Sequence, residues 1–262
     1  MLTFGEIQIN AAVAPNCFLM SLYASDLAKV AKAGQFIHIK VTEGTYPLLR
    51  RPISIHDIDP DTGTISLLYQ VRGKGTELLS TKRRGEKLNL LGPLGNGFNL
   101  EFSGKKAILV GGGIGVAPLY SLAKSLIRDG KEVRVLIGAR TKEMIYQAEK
   151  FFDLGCTVQC ATDDGSYGEK AFVTELLESA LKDEKPDYVY TCGPEVMMTK
   201  VVDICLTDSV SGQVSLEAYM GCGIGACLCC TTELVDNSKR HAKVCHDGPV
   251  FFFEEVRLNG KG

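Results

Sequence analysis

The chain has 262 residues, 45% of them hydrophobic and 23% charged, with a formal net charge of −2. That length suits about two domains with sizeable cores, and the near-neutral charge argues against nucleic acid or an anionic membrane as the main partner. Ten cysteines and an N-terminal Met1–Glu6 stretch with neither a basic start nor an apolar run point to a reducing, cytoplasmic setting, where thiols serve as ligands or buried groups and not as disulfides.

Residues 1–101 read as short β segments broken by turns. Gln35–Val41 alternates and Thr64–Val71 is rich in β-formers. Asp59-Pro60-Asp61-Thr62-Gly63 is a turn between two β runs, its proline and glycine fixing the backbone. Closely spaced strands of this kind predict a small antiparallel barrel. Two of its stretches carry chemistry. In Arg50-Arg51-Pro52-Ile53-Ser54-Ile55 an arginine can pair with phosphate while a serine donates to a ring atom. In Arg72-Gly73-Lys74-Gly75-Thr76 glycines ahead of a short helical start can turn backbone N–H groups toward a diphosphate. Taken singly, each is equally a solvated arginine or an ordinary turn.

Together, Arg51-Pro52-Ile53-Ser54, Gly73-Lys74-Gly75-Thr76 and Leu88-Asn89-Leu90-Leu91-Gly92-Pro93-Leu94-Gly95 resemble the flavin barrel of the ferredoxin reductase superfamily. The resemblance implies FAD, with Arg51, Gly75 and Thr76 at its diphosphate, and Pro52, Ile53 and Ser54 along the ring with Ser54 near N5. It also implies that Leu68, Tyr69 and Gln70 line the ring. Ile53 stands where the family often has an aromatic residue. Gly92–Gly97 reads as the exit loop from the barrel.

From about residue 102 to 211 the pattern changes to alternating β and α. Lys106–Val110 is an apolar run expected of a strand buried on both faces; the wider run Ala107–Tyr120 is too short and too broken by glycine and proline to span a bilayer. Gly111-Gly112-Gly113-Ile114-Gly115-Val116-Ala117-Pro118 then leads into a helix ended by Gly130. Strand, glycine turn and helix form the setting of a dinucleotide loop, so Gly111, Gly113 and Gly115 are candidate NAD contacts. Further strands are expected at Glu132–Ala139, Cys156–Ala161 and Tyr188–Cys192, and helices at Lys142–Phe152, Ala171–Leu181 and Pro194–Leu206. This alternation implies a parallel sheet with ligands beyond the strand C-termini. Cys192-Gly193-Pro194 lies at such an end. It is similar to the superfamily's nicotinamide-side loop, which would put Cys192 and Gly193 by the reacting carbon and make Cys192, with Ser54, a candidate catalytic residue; otherwise Cys192 is a packed thiol. Arg140, at the end of the second strand of this sheet, is either a solvated charge or a contact for a 2′-phosphate, leaving NAD against NADP open.

In residues 212–262, Cys222, Cys227, Cys230 and Cys245 read C-x4-C-x2-C followed by one distant cysteine. Four soft thiolates suit zinc or an iron–sulfur cluster, and this spacing is the plant-type [2Fe–2S] pattern. Neighbours in extended chain point opposite ways, so Cys229 and Cys230 are not both ligands; Cys230 completes the spacing and Cys229 is spare. His241 and His246 fit no Rieske pattern. Thr231–Val235 and Val250–Phe253 read as strands, and Phe251-Phe252-Phe253 either packs inside or forms a seam with another subunit.

Ser215-Leu216-Glu217-Ala218-Tyr219-Met220-Gly221-Cys222-Gly223, with Thr162-Asp163-Asp164-Gly165-Ser166-Tyr167-Gly168, resembles the electron-transfer subunits of type B dihydroorotate dehydrogenase. Ala171 stands where relatives often carry glycine. The resemblance implies an α/β and β multidomain chain: an FAD-binding antiparallel β-barrel (1–101), an NAD-binding parallel-sheet domain (102–211) and a small [2Fe–2S] domain (212–262). It further implies a hetero-oligomer with an FMN-containing dihydroorotate dehydrogenase in pyrimidine biosynthesis. Reductase subunits of sulfide dehydrogenase, bifurcating transhydrogenase or oxygenase systems are the alternative, and a zinc-stapled or redox-sensing module is a third. The bifurcating relatives tend to carry a carboxylate where Cys222 stands.

Overall fold

A computed structural model describes residues 1–235 and 241–258. The N-terminal third forms β1 (Leu2–Ala14), β2 (Cys17–Tyr23), a short helix α1 (Ser25–Val30), β3 (Phe36–Lys40), β4 (Arg51–Asp59), β5 (Thr64–Gln70), α2 (Lys74–Ser80) and β6 (Lys87–Leu94). The strands close into an antiparallel barrel in the order β1-β2-β5-β4-β3-β6. Alternation decides which side chains enter it: Ile37 and Ile39 of β3, Ile65, Leu67 and Tyr69 of β5, and Leu88 and Leu90 of β6 fill the interior, while Leu27 and Leu79 from the two helices pack against it. The Asp59–Gly63 turn forms as expected, with Asp59 Oδ1 accepting from the N–H groups of Asp61 and Thr62 at 3.0 and 3.1 Å. The exit loop starts later than expected, because Gly92, Pro93 and Leu94 still belong to β6.

The second body comprises β7 (Lys106–Gly112), α3 (Ala117–Arg128), β8 (Glu132–Ala139), α4 (Ala148–Asp153), β9 (Thr157–Thr162), α5 (Val173–Asp183), β10 (Tyr188–Cys192) and α6 (Glu195–Thr207). Its strands are parallel, and β7 shows why its sequence is apolar throughout. Ala107 and Leu109 pack with Leu119, Leu122 and Leu126 of α3, whereas Ile108 and Val110 pack with Leu176 and Leu177 of α5 and Val201 of α6. The helix expected over Lys142–Phe152 is instead a 3₁₀ turn at Lys142–Met144, a left-handed Gln147 and then α4. Tyr146 explains the break: it is buried, and its hydroxyl accepts from Gln70 Nε2 of the barrel at 2.8 Å.

The chain then adds β11 (Gly212–Ser215), β12 (Thr231–Glu233), β13 (His241–Lys243) and β14 (Val250–Phe252). The sheet runs β14-β11-β10-β7-β8-β9, with β11 parallel to β10 and β14 antiparallel to β11. The nucleotide sheet thus reaches past residue 211, and the cysteine-bearing segment leaves and rejoins it between two adjacent strands. Val214 and Ser215 are buried there, paired in parallel with Thr191 and Cys192 of β10. Phe251 and Phe253 point inward and are buried, while Phe252 is 39% exposed, so the packing expected of this run holds for two of its rings.

Candidate redox site

A cleft opens where the three parts meet. Phe36, Pro52, Ile53 and Ser54 come from the barrel, Leu68 and Gln70 from the end of β5, Ile114 and Ala117 from the glycine turn, and Leu216 and Met220 from the cysteine-bearing segment. Every barrel residue expected at a flavin ring therefore edges one cavity. Tyr69 differs in one respect: its side chain turns into the barrel and donates to Asn10 Oδ1 at 3.0 Å, and burial raises its phenol above the usual range. Gln70 accepts both Nε and Nη2 of Arg72, at 3.1 and 2.9 Å, so its amide is fixed. Arg72 and Phe36 line this cleft without having stood out in the sequence as ring contacts.

Next to Thr76, which lines the cleft, the Arg51 side chain lies across Gly75, where any Cβ would collide with its guanidinium. Among the described residues, that guanidinium donates to the backbone carbonyls of Leu49 and Arg50 alone, which leaves its remaining N–H groups for an anion. The Thr76 hydroxyl caps its own turn, accepting from Arg72 N at 2.9 Å and donating to Gly73 O at 3.1 Å. A bare backbone, a fixed turn and an arginine folded over it form a cradle suited to a dinucleotide diphosphate.

The glycine turn and the Cys192 loop interlock. A side chain on Gly115 would run into the Cys192 carbonyl, and one on Gly112 would meet Met197 and Pro194 at 2.6 and 2.7 Å. Gly111 is closed off by Val116, so among these glycines Gly113, with φ of 53° and open space around it, faces outward. A 3₁₀ turn over Gly113–Val116 stands between β7 and α3, and the helix begins at Ala117, taking in the last two residues of the Gly111–Pro118 stretch expected to precede it. Cys192 is 2% exposed, and burial pushes its thiol well above the usual range. Cys192 lines neither cavity, while Gly193 and Pro194 line the second one, toward β12 and β13.

Leu216, Glu217 and Ala218 form the wall between the two cavities. Glu217 keeps one side open to solvent but is otherwise ringed by protein. That enclosure raises its carboxyl above the ordinary range, and Arg72 opposes the rise. No role for this residue was legible before folding, because a carboxylate placed between two cavities is a tertiary fact.

The four thiols of the spacing motif gather as two neighbouring pairs, Cys222 with Cys227 and Cys230 with Cys245. Among the described residues, no group of three or more Cys, His, Asp or Glu side chains is arranged to hold a single metal ion. Backbone N–H groups aim at the sulfurs: Ile224, Ala226 and Cys227 donate to Cys222 Sγ at 3.5, 3.3 and 3.4 Å, and Gly225 donates to Cys245 Sγ at 3.1 Å. The Ile224 N–H foremost lowers the Cys222 thiol to about 6, whereas burial pushes Cys245 up to about 12. Two thiol pairs with amides turned toward sulfur fit a two-iron cluster, which draws on four cysteines and is tuned by hydrogen bonds to sulfur. Cys229 is exposed and stands outside the pairs. His246 is an exposed partner of Asp247 at 2.8 Å, and His241 lines the second cavity.

Two family descriptions match the chain: "Iron-sulfur cluster binding domain of dihydroorotate dehydrogenase B" over residues 217–257 and "Oxidoreductase NAD-binding domain" over residues 109–203. The electron transfer subunit of NAD(+)-dependent dihydroorotate dehydrogenase B from Bacillus pumilus is 44% identical over 252 residues, 95% of this chain and 96% of that one. The subunit of the same name from Desulforamulus reducens is 42% identical over 240 residues, covering 91% and 92% of the two chains. Among solved structures, a chain of an NADH-dependent reduced ferredoxin–NADP oxidoreductase, described for flavin-based electron bifurcation, superposes with a TM-score of 0.88 at 31% identity. It covers 98% of this chain and 91% of its own. The ferredoxin reductase of carbazole 1,9a-dioxygenase shares the fold at a TM-score of 0.67 and 23% identity, over 80% of this chain and 66% of that one.

Proposed function

The chain belongs to the family of electron transfer subunits of NAD(+)-dependent dihydroorotate dehydrogenase B, and we propose that it passes electrons from an FMN-containing dehydrogenase partner, through a [2Fe–2S] cluster and FAD, to NAD+ in pyrimidine biosynthesis. When bound, the flavin exchanges hydride with nicotinamide and single electrons with the cluster, which is why it belongs between them. The observation that carries the reading is the shared cleft, where barrel, glycine turn and cysteine-bearing segment each contribute a wall.

The chain's own residues then have these roles. Arg51 and the Gly75–Thr76 backbone hold the FAD diphosphate. Pro52, Ile53, Ser54, Leu68 and the backbone of Tyr69 seat the ring, with Ser54 near N5 and Gln70 held at its edge. Gly113 and the Cys192–Gly193 loop seat NAD, with Gly111 and Gly115 letting the turn pack closely beneath it and Cys192 beside the nicotinamide. Cys222, Cys227, Cys230 and Cys245 hold the cluster. The working units are the barrel (1–101), the nucleotide sheet, which takes in 102–215 and β14, and the cysteine-bearing excursion between β11 and β14. We place the protein in the cytoplasm. A chain with ten cysteines, four of them read as cluster ligands, suits a compartment that keeps thiols reduced.

An anaerobic visible spectrum with iron, sulfide and flavin analysis tests the assignment on wild type and Cys222→Ser. We expect the variant to lose iron and sulfide and keep FAD. Loss of FAD alone would overturn the assignment of parts. The likeness to the bifurcating oxidoreductase chain favours one second reading, a reductase subunit of a larger flavoprotein. Co-purification with an FMN-bearing dihydroorotate dehydrogenase distinguishes the two.

A further inference from the structure

Strand β3 presents two residues outward, two positions apart. Phe36 lines the flavin cleft, and His38 lies beneath the cysteine loop, with Ile37 and Ile39 facing the barrel interior between and beyond them. The facing segment repeats this step, since Met220 lines the cleft and Cys222 is the first thiol of the motif. Along β3 that step is about 7 Å of backbone, and the facing segment goes from cleft to first thiol in the same number of residues. His38 fills the joint. It has no exposed surface, and among the described residues neither ring nitrogen has a hydrogen-bond partner at normal geometry. The backbone carbonyls of Arg50 and Cys222 both face the ring. A Cβ on Gly223 would fall 2.5 Å from Nδ1, so the loop rests directly on the imidazole. A buried polar ring with two unmet nitrogens is costly unless something uses it.

We propose that His38 is a positioning residue for electron transfer: its imidazole seats the Cys222–Gly223 backbone on the flavin barrel and thereby sets the gap between flavin and cluster. The inference rests on the proposed function. Iron or flavin missing from wild type would defeat that function, whereas the positioning role is judged only on a fully loaded wild type. The test uses the complex with its dehydrogenase partner, in wild type, His38→Ala, His38→Asn and Gly223→Ala. Stopped-flow absorbance follows flavin reduction by NADH and then cluster reduction, and electron paramagnetic resonance reads the reduced cluster. In His38→Ala, FAD content and flavin reduction stay within about twofold of wild type, while cluster reduction slows roughly tenfold or more and the resonance shifts. His38→Asn, which restores a nitrogen near the Nδ1 position, recovers most of the rate. Gly223→Ala, lifting the loop from the other side, reproduces the slowing and decides the matter if His38→Ala does not fold. Unchanged cluster reduction and resonance in His38→Ala, or in Gly223→Ala where that variant decides, would overturn the role.

Discussion

His56 shows how one buried side chain ties the barrel to the nucleotide body. It sits on β4, 3% exposed, stacks on Tyr120 with ring centroids 4.8 Å apart, and meets the Ala117 carbonyl through Nδ1 at 2.9 Å. That carbonyl only accepts, so the ring carries its proton on Nδ1. Burial lowers its pKa below the ordinary histidine range. The Ala117 carbonyl and Asp57 oppose that shift, while Lys150 adds to it. Lys124, bound to Asp57 at 2.9 Å, is the other charge near the joint. A histidine with a depressed folded pKa contributes its full share of stability above its unfolded value, near 6.5, and that share falls as pH drops toward the folded value. Between pH 6.5 and 5 wild type should therefore lose stability faster than His56→Phe, by up to about 1.4 kcal/mol per pH unit. Denaturant midpoints across that range check it, and parallel slopes would contradict it. Contacts of this kind were not legible in the sequence. The C-x4-C-x2-C spacing and the glycine turn could be read because their members are near neighbours, whereas His56 with Ala117, Arg51 with Gly75 and His38 with Gly223 meet only after folding.

At the level of elements, hydrophobic pattern found β3 and β5 of the barrel and five of the six strands of the sheet, because each buries one or both faces in a period that shows in the residues. It failed where a tertiary contact outweighed local preference. Tyr146 reaches Gln70 and breaks an otherwise helical stretch, and Gly212–Ser215 is too short to signal that it extends a sheet. The second miss has a mechanical consequence. Because β11 and β14 are adjacent, the cysteine-bearing excursion is anchored at both ends on one sheet edge, with the ring of Phe253 pressed against Gly212. Phe253 is 1% exposed, so Phe253→Ala should destabilise the chain by about 3–5 kcal/mol and release iron. Phe252 is 39% exposed, and Phe252→Ala should change stability by no more than about 0.5 kcal/mol. Circular dichroism during urea unfolding, with iron counted on the same samples, separates these outcomes. Equal losses from both variants would show that the strand does not anchor the excursion.

Across the whole molecule the three parts are joined pairwise. Lys124 and His56 fasten α3 to β4, Asn96 of the barrel donates to the Asp247 carbonyl at 2.8 Å, and β11 with β14 bind the cysteine-bearing excursion to the sheet. These joints leave the cluster loop at the surface, and its apolar residues are not folded away: Tyr219, Ile224 and Leu228 are 94%, 55% and 63% exposed. The loop entering β4 is equally bare, with Tyr46 and Leu48 each 76% exposed. Both loops lead into residues that meet His38, the first through Gly223 and the second through Arg50. Exposed apolar side chains on loops beside the cysteine motif are what a partner's surface would cover, since burying them would bring that surface close to the thiols. Ile224→Asp together with Leu228→Asp should weaken the complex with the dehydrogenase partner by roughly tenfold or more, about 1.4 kcal/mol, while FAD, iron and NADH-driven flavin reduction stay unchanged. Titration calorimetry or gel filtration of the mixed subunits measures this. Undiminished assembly would place the docking face elsewhere on the chain.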